Sequence, residues 1–491
     1  MFKRLLAVLL ISLTLAQCKQ SGEKLPEDKR PNIIVIYTDD QGYADLGIQG
    51  QVSDVRTPNI DALAMSGVRM TAGYVTAPQC VPSRAGLISG QYQQRFGLFE
   101  NETGPMPLSI TTVPELMQRA GYVTGMVGKW HLEPNRNQEG WLEENLPSYS
   151  ESDDEEPVIP TSLRADYRPG NRGFSEYFSG TRNRYRANFD LNGNSLYGSN
   201  GQIVRNREFR IDVQSQAALS FLERNGDQPF FLYLSYFGPH VPLEAPAEYL
   251  ERFPGEMPER RRTALAMISA IDDGVGQIVE MLEEKGLREK TLIFFVSDNG
   301  APLKIDMDDL PLTITRGSWD GSLNTPWIGE KKLLTEGGIR VPFLASWPGV
   351  LPAGKTYPKP VITLDIGATA VALSGLEHDA VLDGRDIIPE LKGDAPRLSI
   401  RPLFWKFQDQ LAVREGRYKY LRLLDDGTEY LFDLESDEHE AVELAGRSST
   451  TTRRLRQLGD SWARDLGIDL SSQVDDIEED RFFDHYLPSS E

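Results

Sequence analysis

Four runs of β-branched and aromatic residues, apolar along almost their whole length, break off abruptly into polar groups. Asn32–Thr38 stops at Asp39-Asp40, and Tyr122–Val127 at Gly128-Lys129-Trp130-His131. Phe230–Phe237 stops at Gly238-Pro239-His240, and Leu292–Ser297 at Asp298-Asn299-Gly300. Near-continuous apolar runs of strand length mark strands buried on both faces, the pattern of a parallel sheet. Helix-like segments lie between them, among them Val113–Ala120, Asp212–Arg224 and Arg260–Lys285. Strands alternating with helices predict an open α/β sheet, mostly parallel and sandwiched by helices. Ligands of such sheets bind beyond the carboxyl ends of the strands. All four polar endings then face one site.

The chemistry at those endings is specific. Asp39, Asp40, Asp298 and Asn299 offer hard oxygen ligands suited to Ca²⁺ or Mg²⁺. Either pair alone reads as a helix cap or turn; two pairs at the ends of separate strands favour a metal. No Cys/His cluster has zinc spacing. Of five histidines, only His131 and His240 fall at predicted strand ends, and Lys129 shares an end with His131. A fifth element joins them: Gln79-Cys80-Val81-Pro82-Ser83-Arg84-Ala85-Gly86-Leu87-Ile88-Ser89-Gly90, a loop entering a helix. Pro82 suits the first turn, so Cys80 sits at or just before a helix N-terminus, where free N–H groups favour an anion. Arg84, one turn later, can point back at the same place. A free cysteine alone is more often a small buried hydrophobe.

The complete string C-x-P-S-R-x-x-L-x-x-G resembles the signature of the type I sulfatases, in the alkaline-phosphatase superfamily. Lys129-Trp130-His131 resembles the family's K-x-H element and Pro239-His240 its P-H element. Lys331-Lys332-Leu333-Leu334-Thr335-Glu336-Gly337-Gly338-Ile339-Arg340-Val341-Pro342 resembles its K-x-x-x-x-E-G-G-x-R-V-P loop. The spacing to Glu336 selects Lys331 over its neighbour Lys332. The similarity runs from about Pro31 to near Leu444. It implies an alkaline-phosphatase-like α/β/α sandwich with a smaller C-terminal α+β subdomain. It also implies that Cys80 is oxidised by a formylglycine-generating or equivalent maturation enzyme, which reads Pro82 and Arg84. The resulting aldehyde hydrate attacks the sulfur of a sulfate ester. One Ca²⁺ is implied on Asp39, Asp40, Asp298 and Asn299, completed by the Cys80 side chain. Arg84 supports the aldehyde hydrate, Lys129 and Lys331 hold sulfate, His240 or Lys331 protonates the leaving oxygen, and His131 helps expel sulfate.

Composition bounds the partners. A net charge of −21 argues against nucleic acid and against long-range attraction of a sulfated substrate. Local Lys and Arg must hold the anion. Lys3 and Arg4 precede an apolar run, Leu5–Ala16, so residues 1–18 read as an export signal and residues 19–30 as a tether. Leu15-Ala16-Gln17-Cys18 resembles a bacterial lipobox, with Gln17 in place of the usual small residue. Cys18 would then be lipidated, attaching the protein to the envelope as a periplasmic or outer-membrane lipoprotein. With only two cysteines, lipidation of Cys18 and oxidation of Cys80 leave no disulfide.

The middle of the chain offers substrate-recognition candidates. Arg182-Asn183-Arg184-Tyr185-Arg186 is the densest basic stretch of the catalytic part. Its guanidinium forks suit sulfate oxygens and Tyr185 could stack on a sugar ring, although a solvent-facing loop is an equal reading. The long loop Ala301–Trp327, with Trp319, Asp320 and Trp327, suits a binding wall. Glu151–Glu156 reads as a solvated acidic loop. A boundary near Arg397–Pro402 separates a catalytic domain, 31–398, from a subdomain, 399–470. There, short runs Leu403–Phe407, Leu411–Arg414, Tyr418–Leu424 and Glu429–Asp433 predict a small antiparallel sheet, followed by a helix over Thr452–Leu466. Residues 471–491 form an acidic tail. The expected substrate is a sulfated carbohydrate, with an algal galactan such as carrageenan leading. The rivals are a phosphodiesterase or phosphonate hydrolase on the same fold, and a non-catalytic glycan-binding protein.

Overall fold

The structure, a computed structural model, describes residues 30–146, 159–198, 200–315, 317–393, 400–471 and 485–488. The export segment with Cys18, the tether before Arg30, the acidic run 151–156, residues 394–399 of the boundary and most of the tail lie outside the described residues.

A ten-stranded sheet organises the molecule. From edge to edge it runs Lys355–Tyr357, Val68–Met70, Phe343–Ser346, Thr291–Ser297, Asn32–Asp39, Phe230–Pro239, Val123–Gly128, Glu176–Gly180, Arg184–Ala187 and Gln202–Arg205. The four strands expected from the sequence lie side by side at its centre, all parallel. Along Asn32–Asp39 the side chains alternate between two cores. Ile33, Val35 and Tyr37 join one, Ile34 and Ile36 the other, as the two-residue strand period requires. Helices Pro58–Met65, Arg210–Asn225 and Glu259–Glu284 cover the second face. Cys80–Ser89, Val113–Arg119 and Leu364–Ser374 cover the first.

Register then sets the site. Thr38 pairs with Ser297 and Asp39 with Pro239, so Asp39-Asp40, Asp298-Asn299 and His240 leave the sheet at the same level. Gly128 closes the neighbouring strand at φ 98°, where a Cβ would come within 1.9 Å of the Ser235 carbonyl oxygen. Only glycine fits this approach. It lets the Lys129 N–H donate to Ser235 O at 2.8 Å, fixing where Lys129 begins.

The C-terminal sheet, in the order Leu403–Phe407, Gln410–Glu415, Tyr418–Leu423 and Glu429–Asp433, is antiparallel throughout. Helix Ser449–Asp465 packs Leu455 against Val413 and Tyr420. The sheet also supports the loop carrying Lys331. Gln410 accepts from Leu334 N at 2.7 Å and donates to Lys332 O at 2.9 Å. Lys419 sits fully buried between Glu336 and Glu440, at 2.9 and 2.8 Å. Glu336 also accepts from Tyr74 at 2.6 Å and pairs with Arg340 at 3.1 Å. Removing one partner of a buried ion cluster strands the others. Lys419→Met should therefore lower unfolding stability by about 3–5 kcal/mol, read by urea titration. A loss below about 1 kcal/mol would mean the carboxylates are satisfied without this ammonium.

Candidate active site

The helix Cys80–Ser89 begins with Cys80 itself, which is wholly buried. Its sulfur lies 3.6 Å from Asp39 Oδ1 and 3.4 Å from Lys331 Nζ. Around it, three carboxylates meet three cations. Asp39 Oδ2 accepts from Lys129 Nζ at 2.6 Å, Asp298 Oδ2 from Arg84 Nη2 at 2.7 Å, and Asp40 from Lys331 Nζ at 2.7 and 2.8 Å. Arg84 reaches Asp39 Oδ1 at 3.4 Å and lies over the Tyr37 ring. Lys331, and not Lys332, enters the site; Lys332 is exposed. Asp40 and His131 hold φ of 63° and 61°, uncommon for residues other than glycine. Such backbone strain persists where surrounding structure enforces it, often at functional sites.

His240 is oriented by its backbone. Its Nδ1 lies 2.5 Å from the Val241 carbonyl oxygen, an atom that only accepts, so Nδ1 carries a hydrogen. Nε2 is left facing the site, 3.6 Å from Asp40 Oδ2. Burial, with Lys129 and Lys331 aiding against Asp39 and Asp40, pulls the imidazole down to about 4. Burial and then Lys129 also push His131 well below its usual range. Burial opposes ionisation of Asp39, but Lys129, His240, Arg84 and Lys331 together hold it well below the usual carboxylate range. Asp298, raised by burial and by Asp39, reaches about 7. Burial likewise drives the Cys80 thiol far up, despite Lys129 and Lys331. An unmodified thiol held neutral in this way is a poor nucleophile.

The carboxylates fit a hard cation. Ligand atoms of Asp39, Asp40, Cys80 and Asp298 all lie within 4.8 Å of one another. Asn299 donates to Asp40 Oδ1 at 2.6 Å, while its own Oδ1 is buried without a partner among the described residues. An orphaned amide oxygen beside three carboxylates is what a calcium-type donor set supplies.

The substrate candidates divide. Arg184 lines a cleft of about 610 Å³ that opens from Lys129, His131 and His240. Arg182 is exposed and lies outside that lining. Tyr185 is not a sugar platform. The strand Arg184–Ala187 alternates its side chains, so Tyr185 turns inward, fully buried against Phe178. Trp319 is also buried, its Nε1 donating to Ser322 O at 2.8 Å, so it offers no stacking face. From the same loop Asp320 instead reaches the centre, within 4.8 Å of Asp40 and His240 ligand atoms; burial and then Asp40 push it up to about 8. Arg164, Arg168, Arg186 and Glu133 also line the cleft. Nothing in the local sequence marks Arg164 or Arg168, which come from a separate segment.

Fold and site together gather a buried helix-terminal cysteine, a cluster of carboxylates able to hold a metal and three fixed cations at the ends of the central strands. Comparison with known proteins names the class. Residues 31–376 match the sulfatase family model, and residues 327–459 match the C-terminal model of N-sulphoglucosamine sulphohydrolase. N-acetylgalactosamine-6-sulfatase of Canis lupus familiaris is 31% identical over 446 residues, 84% of this chain and 74% of that protein. Steryl-sulfatase of Mus musculus is 30% identical over 440 residues, 77% of this chain and 68% of that protein. The crystal structure of Ps i-CgsB in complex with k-i-k-neocarrahexaose superposes with a TM-score of 0.71 at 28% identity, covering 93% of this chain and 97% of that one. The chain belongs to the sulfatase family, in the alkaline-phosphatase superfamily, and is a sulfuric ester hydrolase. Members of this family generally use a formylglycine and a metal ion. The phosphonate monoester hydrolase of Agrobacterium radiobacter shares the fold at a TM-score of 0.59 and 20% identity.

Proposed function

We propose that this protein hydrolyses sulfate esters on a sulfated carbohydrate, with Cys80 matured to formylglycine and one Ca²⁺ on Asp39, Asp40, Asp298, Asn299 and the residue at 80. The observation that carries the reading is the placing of Cys80 between Asp39 and Lys331, in a setting that keeps a thiol inert. When present, calcium supplies positive charge for sulfate oxygens, and the hydrated aldehyde supplies an oxygen nucleophile with a second hydroxyl on the same carbon. Lys129 and Lys331 have metal-ligand carboxylates as their present partners, and they are the cations left to face the anion. Fixed charge of this kind stabilises oxygens that gain charge in the transition state. Arg84 stays beneath position 80, tied to Asp298 and Asp39, and keeps the reacting residue in place. His240 Nε2, unprotonated in the empty site, would take up a proton as the anionic ester binds beside it and pass that proton to the departing oxygen, and His131 would accept a proton from the group at 80.

A carrageenan-type galactan is the leading substrate, supported by the likeness to Ps i-CgsB along nearly the full length of both chains. Export as a lipoprotein through residues 1–18 and Cys18, and the division at about residue 398, complete the proposal. Released sulfate from a panel of sulfated oligosaccharides, set beside matched phosphate esters, tests it. Turnover of phosphate but not sulfate would overturn it, as would calcium binding with no turnover.

The role of His240 has its own test. Acid catalysis matters most for a poor leaving group, and a sugar hydroxyl is far poorer than a nitrophenol. His240→Ala should lose about 10²–10⁴-fold on a sulfated sugar and much less on an aryl sulfate. His131→Ala should show no such selectivity. Equal losses on both substrates in His240→Ala would move the acid to Lys331.

A further inference from the structure

The cleft beyond the reacting centre is basic in a way that the site already described does not use. Arg164, Arg168, Arg184 and Arg186 line it, with Glu133 the sole carboxylate among the lining residues. None of the four guanidinium groups forms an ion pair within 4.0 Å among the described residues. The one side-chain bond that the four make there is from Arg186 to Asn200 O, at 3.0 Å. Arg168 is only 8% exposed, yet its Nη1 is buried without a partner there, as is Nε of Arg164. A buried, unsatisfied guanidinium N–H is costly, and like charges crowded together add to that cost. Burial and the repulsion from Arg186 and Arg164 accordingly lower Arg168 below its usual range. In a chain of net charge −21, four arginines facing one cleft, offset among its lining residues only by the Glu133 carboxylate, are a local departure from the overall balance. Planar forks that already face a cleft are suited to carboxylate or sulfate oxygens. The scissile sulfate belongs at the other end, with Lys129, His131 and His240, so these arginines await a different anion.

We propose that this wall is a second-anion subsite: the substrate carries, besides the scissile sulfate, another sulfate ester or a carboxylate on the same or an adjoining sugar, which Arg168, Arg164, Arg184 and Arg186 hold. The proposal rests on the sulfate-ester reading and narrows it to polyanionic saccharides. Because overall charge repels such substrates at long range, recognition is a short-range effect, strongest in residues closest to the buried donors.

The test compares kcat/KM on two pairs of oligosaccharides that share one scissile sulfate. In one pair the members differ by a second sulfate, and in the other by a uronic carboxylate against a neutral hydroxymethyl. The wild type should prefer the doubly charged member of at least one pair by about tenfold or more, and the responsive pair identifies the anion. Arg168→Gln and, separately, the less buried Arg186→Gln should each shrink that preference by about tenfold. Binding of the same pairs to Cys80→Ser protein, by calorimetry, reads the subsite without turnover and should show the same order. No preference in either pair, or equal loss on both members of the responsive pair in both variants, would overturn the subsite. A wild type that binds doubly charged saccharides preferentially but releases no sulfate from any ester, aryl sulfate included, would support the subsite and overturn the sulfate-ester reading instead.

Discussion

Cys80→Ser should abolish sulfate release, by about 10³-fold or more, in a host whose maturation machinery modifies only cysteine, while the protein folds normally. The side chain is wholly buried and serine is nearly isosteric with it, so packing gives no reason for loss of stability. The rate loss follows from chemistry. A serine hydroxyl lacks the second hydroxyl on the same carbon with which the hydrated aldehyde would expel sulfate, and the carboxylates around position 80 are held in ion pairs with Lys129, Arg84 and Lys331. Intact-mass measurement of active wild type should show a loss of about 18 Da at Cys80, the change from thiol to aldehyde. Full activity with an unmodified thiol would defeat the assignment of the nucleophile.

Removal of Asp298 should be nearly as severe. With calcium bound as proposed, Asp298→Ala is expected to lose both the ion and at least about 10³-fold in kcat, because few carboxylates would hold the ion and each would carry much of its charge. The same change strips Arg84 of its 2.7 Å partner in a fully buried setting, so part of the loss could come from a displaced guanidinium. Asp298→Asn, of similar volume, limits that disturbance and should still release the metal. Elemental analysis of folded protein decides the matter. Stoichiometric calcium retained in both variants would exclude Asp298 as a ligand.

Much of the site was legible in the chain because strand ends concentrate chemistry. A central parallel strand must be apolar along its length, so the first polar residues past its end stand out. Asp39, Asp40, Lys129, His131, His240, Asp298 and Asn299 were found this way, and the register of four adjacent strands brings them to one level. Lys331 needed its spacing to Glu336, since two adjacent lysines on a loop carry no periodic signal. The structure separates them: Lys331 meets Asp40, and Lys332 faces solvent.

The aromatic and basic loops were read less well, for a definite reason. Tyr185 looked like a sugar platform because it sits among arginines, but Arg184–Ala187 is a strand, and alternate residues of a strand face opposite sides. Arg184 and Arg186 therefore reach the cleft, while Tyr185 enters the core. Trp319 was conspicuous by its large apolar ring, which is buried, and the shorter Asp320 beside it approaches Asp40 and His240.

What the sequence by itself determined is the set of local patterns: buried strands, the helix that starts at Cys80, the polar residues at each strand end, and the hairpins of the C-terminal sheet. Each depends on neighbours within a few residues, through side-chain period, turn geometry or helix capping. Only the tertiary structure decided which distant groups share a space. Arg164 and Arg168 join Arg184 and Arg186 in one cleft, and Lys419 reaches across to Glu336 beneath the Lys331 loop. Such pairings arise from sheet order and packing between segments far apart in the chain, where no local period or propensity acts.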